Sequence, residues 1–284
     1  MTTSTTPKSS NIPPAPKLKQ VVLWIGANSG GISKTTTAIS LGYEMARRGF
    51  KVAIIDIDTN VSMPTFCNLP IHLPADQTMA WVFDENFNGE WPLFTPEWGA
   101  PSKKGQLQVC LGGGTHMIET GLKLSYRSRR EYALADLLKD YPLPHDFVIV
   151  DCPASLGNLS DVALTASTHL LLPMDVTSKT LAGSDVLLNW IRTTVRRLRL
   201  DPEPKILGAL PTLYNQKEWA QREFMETLPQ TLARQNVHCY APVRYTPEFK
   251  NASIAGVPLQ VYRPKSKFWR DFLPICDDLQ AILK

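Results

Sequence analysis

The sequence predicts an α/β protein built on a twisted, mostly parallel sheet with helices on both faces. Three apolar runs carry that reading. Val21-Val22-Leu23-Trp24-Ile25 reads as a buried strand, and a glycine-containing loop leads from it into a helical pattern at 38–46 with apolar residues at i, i+3 and i+7. Lys51-Val52-Ala53-Ile54-Ile55 is a second strand, closed by Asp56-Ile57-Asp58. Phe147-Val148-Ile149-Val150 is a third, closed by Asp151. Runs that are apolar throughout and end in polar residues suit a parallel sheet, whose ligand chemistry gathers beyond the C-terminal strand ends. At 284 residues, with 43% hydrophobic and 20% charged residues, the chain fits one large globular domain.

The loop after the first strand, Ser29-Gly30-Gly31-Ile32-Ser33-Lys34-Thr35-Thr36, has the order expected of a phosphate-binding loop. Backbone N–H groups and the following helix N-terminus face the phosphates, Lys34 reaches the β and γ oxygens, and the Thr35 hydroxyl binds Mg²⁺. The strict pattern has glycine where this chain has Asn28 and Ser33. Gly30-Gly31 can supply the tight turn, whereas a Cβ at Ser33 crowds a loop that wraps phosphate. The bland alternative is an ordinary Gly-Gly turn leading into a helix.

Asp56 and Asp58, separated by one residue at the end of the second strand, are expected to have different jobs. One approaches Mg²⁺ and its water shell, and the other faces the attacking water. A surface turn capped by acids is the alternative. The third strand resembles the Walker B element, whose carboxylate (here Asp151) holds a metal-bound water and the Thr35 hydroxyl.

Together these stretches resemble the ParA/MinD branch of P-loop ATPases across residues 20–284. That family's loop reads Lys-Gly-Gly-x-Gly-Lys-Thr-Thr and is followed by Asp-x-Asp-Pro-Gln and Ile-Asp-x-Pro-Pro. Later segments agree in order: 159–164, 170–173, 206–212, and 251–259, where Asn251 replaces the usual acid. The resemblance implies ATP and Mg²⁺ as cofactors, with Lys34, Asp56 and Asp58 in the catalytic centre. It also implies Thr35, Asp56 and Asp151 around the metal, and Thr212, Asn215, Pro242 and Arg244 around the base. The family's signature lysine, which reaches across an ATP-bound dimer, is Ser29 here. A serine at that place resembles the carboxysome-positioning McdA branch, and a more general plasmid or cargo partition ATPase stands beside it as an alternative. Lys179, after the strand ending at Pro173, is the candidate to supply the missing cation; a solvated helix-start lysine is the bland reading.

The resemblance further implies non-specific binding to nucleoid DNA as an ATP-dependent homodimer, and a ParB- or McdB-like adaptor that stimulates hydrolysis. A net charge of +4 is too mild to indicate nucleic-acid binding by itself. Its distribution says more: Arg192, Arg196 and Arg199 follow i, i+4, i+7 on a helical pattern, and Lys265, Lys267 and Arg270 cluster near the C-terminal helix. A solvated amphipathic face is the alternative. A third basic group is Arg127, Arg129 and Arg130.

No apolar run approaches the roughly eighteen residues of a membrane helix. The acidic C-terminal segment 276–284 is unlike a basic amphipathic anchor. Residues 1–19 are expected to be a disordered tail without a signal-peptide core, and 20–284 the ATPase domain. Five scattered cysteines without metal-ligand spacing point to a reducing compartment, and the expected location is the cytoplasm, on the nucleoid. Trp81, Phe83, Phe87, Trp91, Phe94 and Trp98 lie in a loop-rich region before a strand at 107–111. They either dock an adaptor or close a satellite core. The competing class for the whole chain is a degenerate P-loop binding module, disabled by Ser29 and Ser33.

Overall fold

The computed structural model describes residues 20–99, 102–177 and 179–284, with the backbone alone for Lys179, Leu181 and Ala182. The expected tail at 1–19 lies outside the described residues. The chain begins β1 (Val21–Ile25), α1 (Lys34–Arg47), β2 (Lys51–Asp56), α2 (Ser62–Cys67) and α3 (Met79–Val82). It continues through β3 (Gln106–Cys110), α4 (Thr115–Ser125), α5 (Ala133–Asp140), β4 (Phe147–Asp151) and α6 (Asn158–Ala166). Next come β5 (His169–Asp175), α7 (Lys179–Leu198), β6 (Lys205–Thr212) and α8 (Trp219–Ala233). The last elements are α9 (Pro247–Ile254), α10 (Leu259–Tyr262) and α11 (Leu273–Leu283).

Among the described residues the six strands form one sheet in the order β3-β2-β4-β1-β5-β6, and every strand pair is parallel. Their C-terminal ends therefore share one edge. Register sets the chemistry there: Ile25 and Asp56 both stand opposite Asp151.

Alternation along β1 explains how both sheet faces are covered. Val21, Leu23 and Ile25 pack with Leu41 of α1 and with Ile275 and Leu279 of α11. Val22 and Trp24 pack on the other side with Val162 of α6 and with Leu187 and Ile191 of α7. Burying each such aliphatic side chain stabilises the fold by about 1.5–3 kcal/mol, so helices on both faces follow from strands that are apolar on both faces.

The aromatic region closes core. Phe83 and Phe87 are buried, and Phe87 meets Trp81, Trp91 and Tyr141 edge-to-face. Trp98 is buried against the opposite face and donates its indole N–H to the Gly256 carbonyl at 2.7 Å. The apolar side of α11 is likewise spent on the core, and Asp277 pairs with Arg48 at 2.7 Å. No described helix is long and apolar enough to cross a membrane. Cys67, Cys110, Cys152 and Cys276 are buried free thiols, and Cys239 is half-buried.

Candidate nucleotide-binding site

The site is assembled where β1, β2 and β4 end. Gly26 leaves β1 under the Trp24 ring, and a Cβ there would lie 2.0 Å from the indole. Gly31 and Ser33 then take φ of 76° and 66°. The loop thus needs two left-handed residues, and only one of them is glycine. The Ser33 side chain makes no capping bond. Its carbonyl accepts the Thr37 N–H at 2.9 Å and the Thr37 hydroxyl at 2.8 Å, which starts α1. The first-turn N–H groups of α1 have no intrahelical partner, and Lys34, Thr35 and Thr36 line a cavity of about 380 Å³. Gly30, Gly31, Ser33 and Asp58 share that wall.

Lys34 is 7% exposed and donates to the Ser29 carbonyl at 3.3 Å. Thr35 donates its hydroxyl to Asp151 Oδ2 at 2.7 Å, while Asp151 Oδ1 is buried with no hydrogen-bond partner. An orphaned carboxylate oxygen beside that hydroxyl suits a hydrated divalent cation. No cluster of three or more His, Cys, Asp or Glu among the described residues could hold a metal alone. A cation here would take its remaining ligands from phosphate and water, as Mg²⁺ does. Burial pushes the Asp151 carboxyl up to about 7, against the downward pull of the Thr35 hydroxyl. Burial and then the neighbouring Asp151 push Asp56 in the same direction. A bound cation would relieve both.

The two aspartates after Ile55 lie in different surroundings. β2 stops at Asp56, so Asp58 lies past the strand. Asp56 is buried, with Oδ1 accepting the Asp58 N–H at 2.9 Å and Oδ2 the Gly112 N–H at 3.3 Å. These two bonds hold the turn to Asp58 and the start of the Gly112 loop in place. Asp58 is on the cavity wall, its Oδ1 accepting the Asn60 N–H at 3.1 Å and side-chain amide at 3.0 Å.

The family model described as an AAA domain, AAA_31, matches residues 20–203. The chain belongs to this family, as a ParA-type P-loop ATPase. It is 29% identical over 200 residues to the chromosome partitioning protein ParA of Caulobacter vibrioides, covering 69% of this chain and 70% of that one. Its fold is similar to that of apo McdA from Cyanothece, with a TM-score of 0.76, 17% identity and coverage of 93% and 100%. It also resembles the cobyrinic acid a,c-diamide synthase of Mycobacterium smegmatis with bound ADP and magnesium. There the TM-score is 0.71 and the identity 26%, with coverage of 92% and 94%.

Of the four residues expected around the base in this ParA-type chain, Arg244 alone lines the cavity. Thr212 is fully buried, and its hydroxyl lies 3.0 Å from the Ile32 carbonyl and 3.1 Å from that of Met174. It pins the loop from below. Asn215 holds its own turn through Glu218 at 2.9 Å, and neither it nor Pro242 lines the cavity. Arg244 does line it, but the guanidinium is held by Asp271 at 2.6 and 2.9 Å. The apolar wall is instead Leu213, Val243, Tyr245 and Phe249. The Tyr214 N–H donates to the Val243 carbonyl and the Tyr245 N–H to the Tyr214 carbonyl, locking the two segments side by side. Leu213 takes φ 57°, a left-handed backbone that points to a constrained site. No side-chain alternation in the sequence marks this wall, since Val243, Arg244, Tyr245 and Thr246 all line the cavity.

Ser29 and Asn28 line a smaller cavity of about 280 Å³ with Asp175, Thr180 and Gly183. Asn28 donates its side-chain amide to the Gly183 carbonyl at 3.0 Å, tying the loop to the first turns of α7. Lys179 is the first residue of that helix, and its side chain lies outside the described residues.

The basic residues do not form one surface. Arg192 and Arg196 are exposed on α7, although Arg192 already donates to the Gln235 carbonyl at 2.9 Å. Arg199 falls past the helix end at Leu198 with φ 51°, so the helical spacing stops short of it. Lys265, Lys267 and Arg270 are exposed, with Lys267 over Phe268 and Arg270 over Trp269. They belong to the α1 and α11 side of the sheet, where Arg47 of α1 also covers Trp269, whereas α7 packs on the other side. Arg127 and Arg130 are spent on the Phe83 and Ser125 carbonyls.

Proposed function

We propose that this ParA-type partitioning ATPase binds ATP with Mg²⁺, dimerises, holds DNA without sequence preference, and is released when an adaptor stimulates hydrolysis. The observation that carries the reading is the Thr35–Asp151 bond beside a single cavity whose wall includes both Lys34 and Asp58. Lys34 and the loop N–H groups hold the β and γ phosphates, and Thr35 ligates the metal with Asp151 behind it. Asp56 keeps the Asp58 turn in shape, and Asp58 orients the attacking water. Leu213, Val243 and Tyr245 receive the base.

The packing of the first turns of α7 on Asn28 and Ser29 supports Lys179 as the cation that acts across the dimer in place of the missing loop lysine. The DNA surface is proposed from Arg192 and Arg196, with Lys265, Lys267 and Arg270 as a second patch. The likeness to McdA supports a cargo complex such as the carboxysome, through a McdB-like adaptor; a plasmid or chromosome with a ParB-like adaptor fits the same machinery. The working location is the nucleoid.

Titration of the full chain with Mg²⁺ and a non-hydrolysable ATP analogue tests the site. Wild type binds and Lys34→Ala loses binding; equal affinity in both refutes the assignment. Turnover measured with and without DNA separates the ATPase from a binding module, which would bind the analogue and hydrolyse nothing.

A further inference from the structure

The cavity wall carries a second lysine. Lys250 and Ser253 both line the cavity that holds Lys34 and Asp58, and their spacing puts them on one face of α9. The rest of the helix is committed elsewhere. Thr246 caps it by accepting the Glu248 N–H at 3.3 Å, and Ala252 is buried. Glu248 is bound to Arg263 and Ser266 at 2.7 Å each, so the nearest acid in sequence is taken. Every ion pair among the described residues is made by an arginine, leaving Lys250 without a carboxylate partner.

The other charges on the wall are accounted for. Lys34 rests on the Ser29 carbonyl, Arg244 is neutralised by Asp271, and Asp58 accepts from Asn60. An ammonium offers donors and no acceptor, so its natural ligand in this cavity is an anion. The phosphate loop is within the same cavity: α9 packs against α2, which follows the Asp58 turn, and Asn60 of that turn and Ser62 at the start of α2 share the wall with Lys250, Gly30, Gly31 and Lys34.

We infer that Lys250 is a nucleotide-binding residue that meets the polyphosphate from α9, adding a second cation to the one supplied by Lys34. The inference rests on the reading of this cavity as the ATP site. It gives the chain a positive group within its own subunit where the loop offers only the neutral Ser29.

The test is calorimetric titration of the full-length wild type, Lys250→Ala, Lys250→Arg and Lys34→Ala proteins. The probes are Mg²⁺ with a non-hydrolysable ATP analogue, and ADP, at low and high salt. Lys250→Ala should weaken analogue binding on the order of tenfold at low salt, with a smaller loss for ADP, and the gap should narrow as salt screens the contact. Lys250→Arg should retain most of the affinity. Wild-type affinity in Lys250→Ala, or an equal loss at every salt concentration that Lys250→Arg shares, would overturn the inference. Unchanged affinity in Lys34→Ala would instead refute the cavity as the nucleotide site. Loss in Lys34→Ala alone would leave that site standing and remove Lys250 from it.

Discussion

Ser33→Gly should stabilise the nucleotide-free protein. Ser33 holds φ 66° and ψ 28°, a left-handed backbone, at the N-cap of α1. An L-residue in that conformation costs about 1–2 kcal/mol relative to one in an ordinary well. Glycine removes the penalty but returns about 0.5–1 kcal/mol through the extra freedom of the unfolded chain. The serine side chain makes no capping bond, and the Ser33 carbonyl that holds Thr37 is kept by glycine. The net gain is therefore about 0–1.5 kcal/mol, from the difference of those two terms. At about 2.1 cal/mol/K of unfolding entropy per residue, a chain of this length should melt up to about 2.5 °C higher. Scanning calorimetry of the two proteins without nucleotide measures this directly. Gly31→Ser is the reciprocal control: φ is 76° there and a Cβ would meet nothing within 4 Å, so the change isolates the backbone cost. A Ser33→Gly protein that melts lower than wild type would refute the strain argument and require a role for the hydroxyl. Melting unchanged in both variants would refute the left-handed assignment of the loop.

Asp58→Ala should keep ATP affinity but slow turnover at least tenfold, because a group that orients water acts in the transition state more than in the ground state. Wild-type turnover in a steady-state phosphate-release assay would remove it from the mechanism. Replacing Arg192 and Arg196 by alanine should lower ATP-dependent DNA retention and flatten the log–log salt dependence by about two units, one per phosphate contact. Equal binding across a salt titration would return them to a solvated helix face. The Asp151 carboxyl rises from the ordinary 3.8 to about 7 on folding, so the native state binds more protons than the unfolded state between those values. Stability of the metal- and nucleotide-free protein should therefore be fully present below about pH 4 and fall as pH rises through 7. Asp151→Asn should reduce that slope in urea denaturation, leaving the part that buried Asp56 contributes, while weakening Mg²⁺-dependent nucleotide binding; an unchanged slope would refute the burial of the Asp151 carboxyl.

Those predictions fall unevenly on what the residues disclosed by themselves. β1, β2 and β4 are readable because a strand buried on both faces must be apolar at every position, and the acids that end such runs have only the sheet edge to occupy. The expected neighbourhood of Thr35 and Asp151 follows, since strand register puts Ile25 opposite Asp151 and the loop after Ile25 carries Thr35 to its carboxylate. The base end fails for a local reason and a distant one. Locally, side-chain direction alternates at a strand exit, and the alternation that puts Thr212 under the loop puts Leu213 on the cavity wall. At a distance, Val243 and Tyr245 are placed by main-chain bonds to Tyr214, and no side-chain pattern announces a pairing made by N–H and carbonyl groups. The arginine spacing fails at a helix end: i, i+4, i+7 extends to Arg199 only if the helix does, and α7 stops at Leu198. Charge carries still less information about direction. Arg192 and Lys267 both add to the same net +4, yet Arg192 is on α7 and Lys267 lies in the loop before α11, and α7 and α11 pack on opposite faces of the sheet. A single flat DNA contact therefore cannot be drawn from one subunit's basic residues. Whichever patch meets DNA, the other must serve a second surface or remain in solvent, and the salt slope of the Arg192 and Arg196 variant decides between them. If two units of slope are lost and little remains, α7 carries the contact. If most of the slope survives, the patch around Trp269 does.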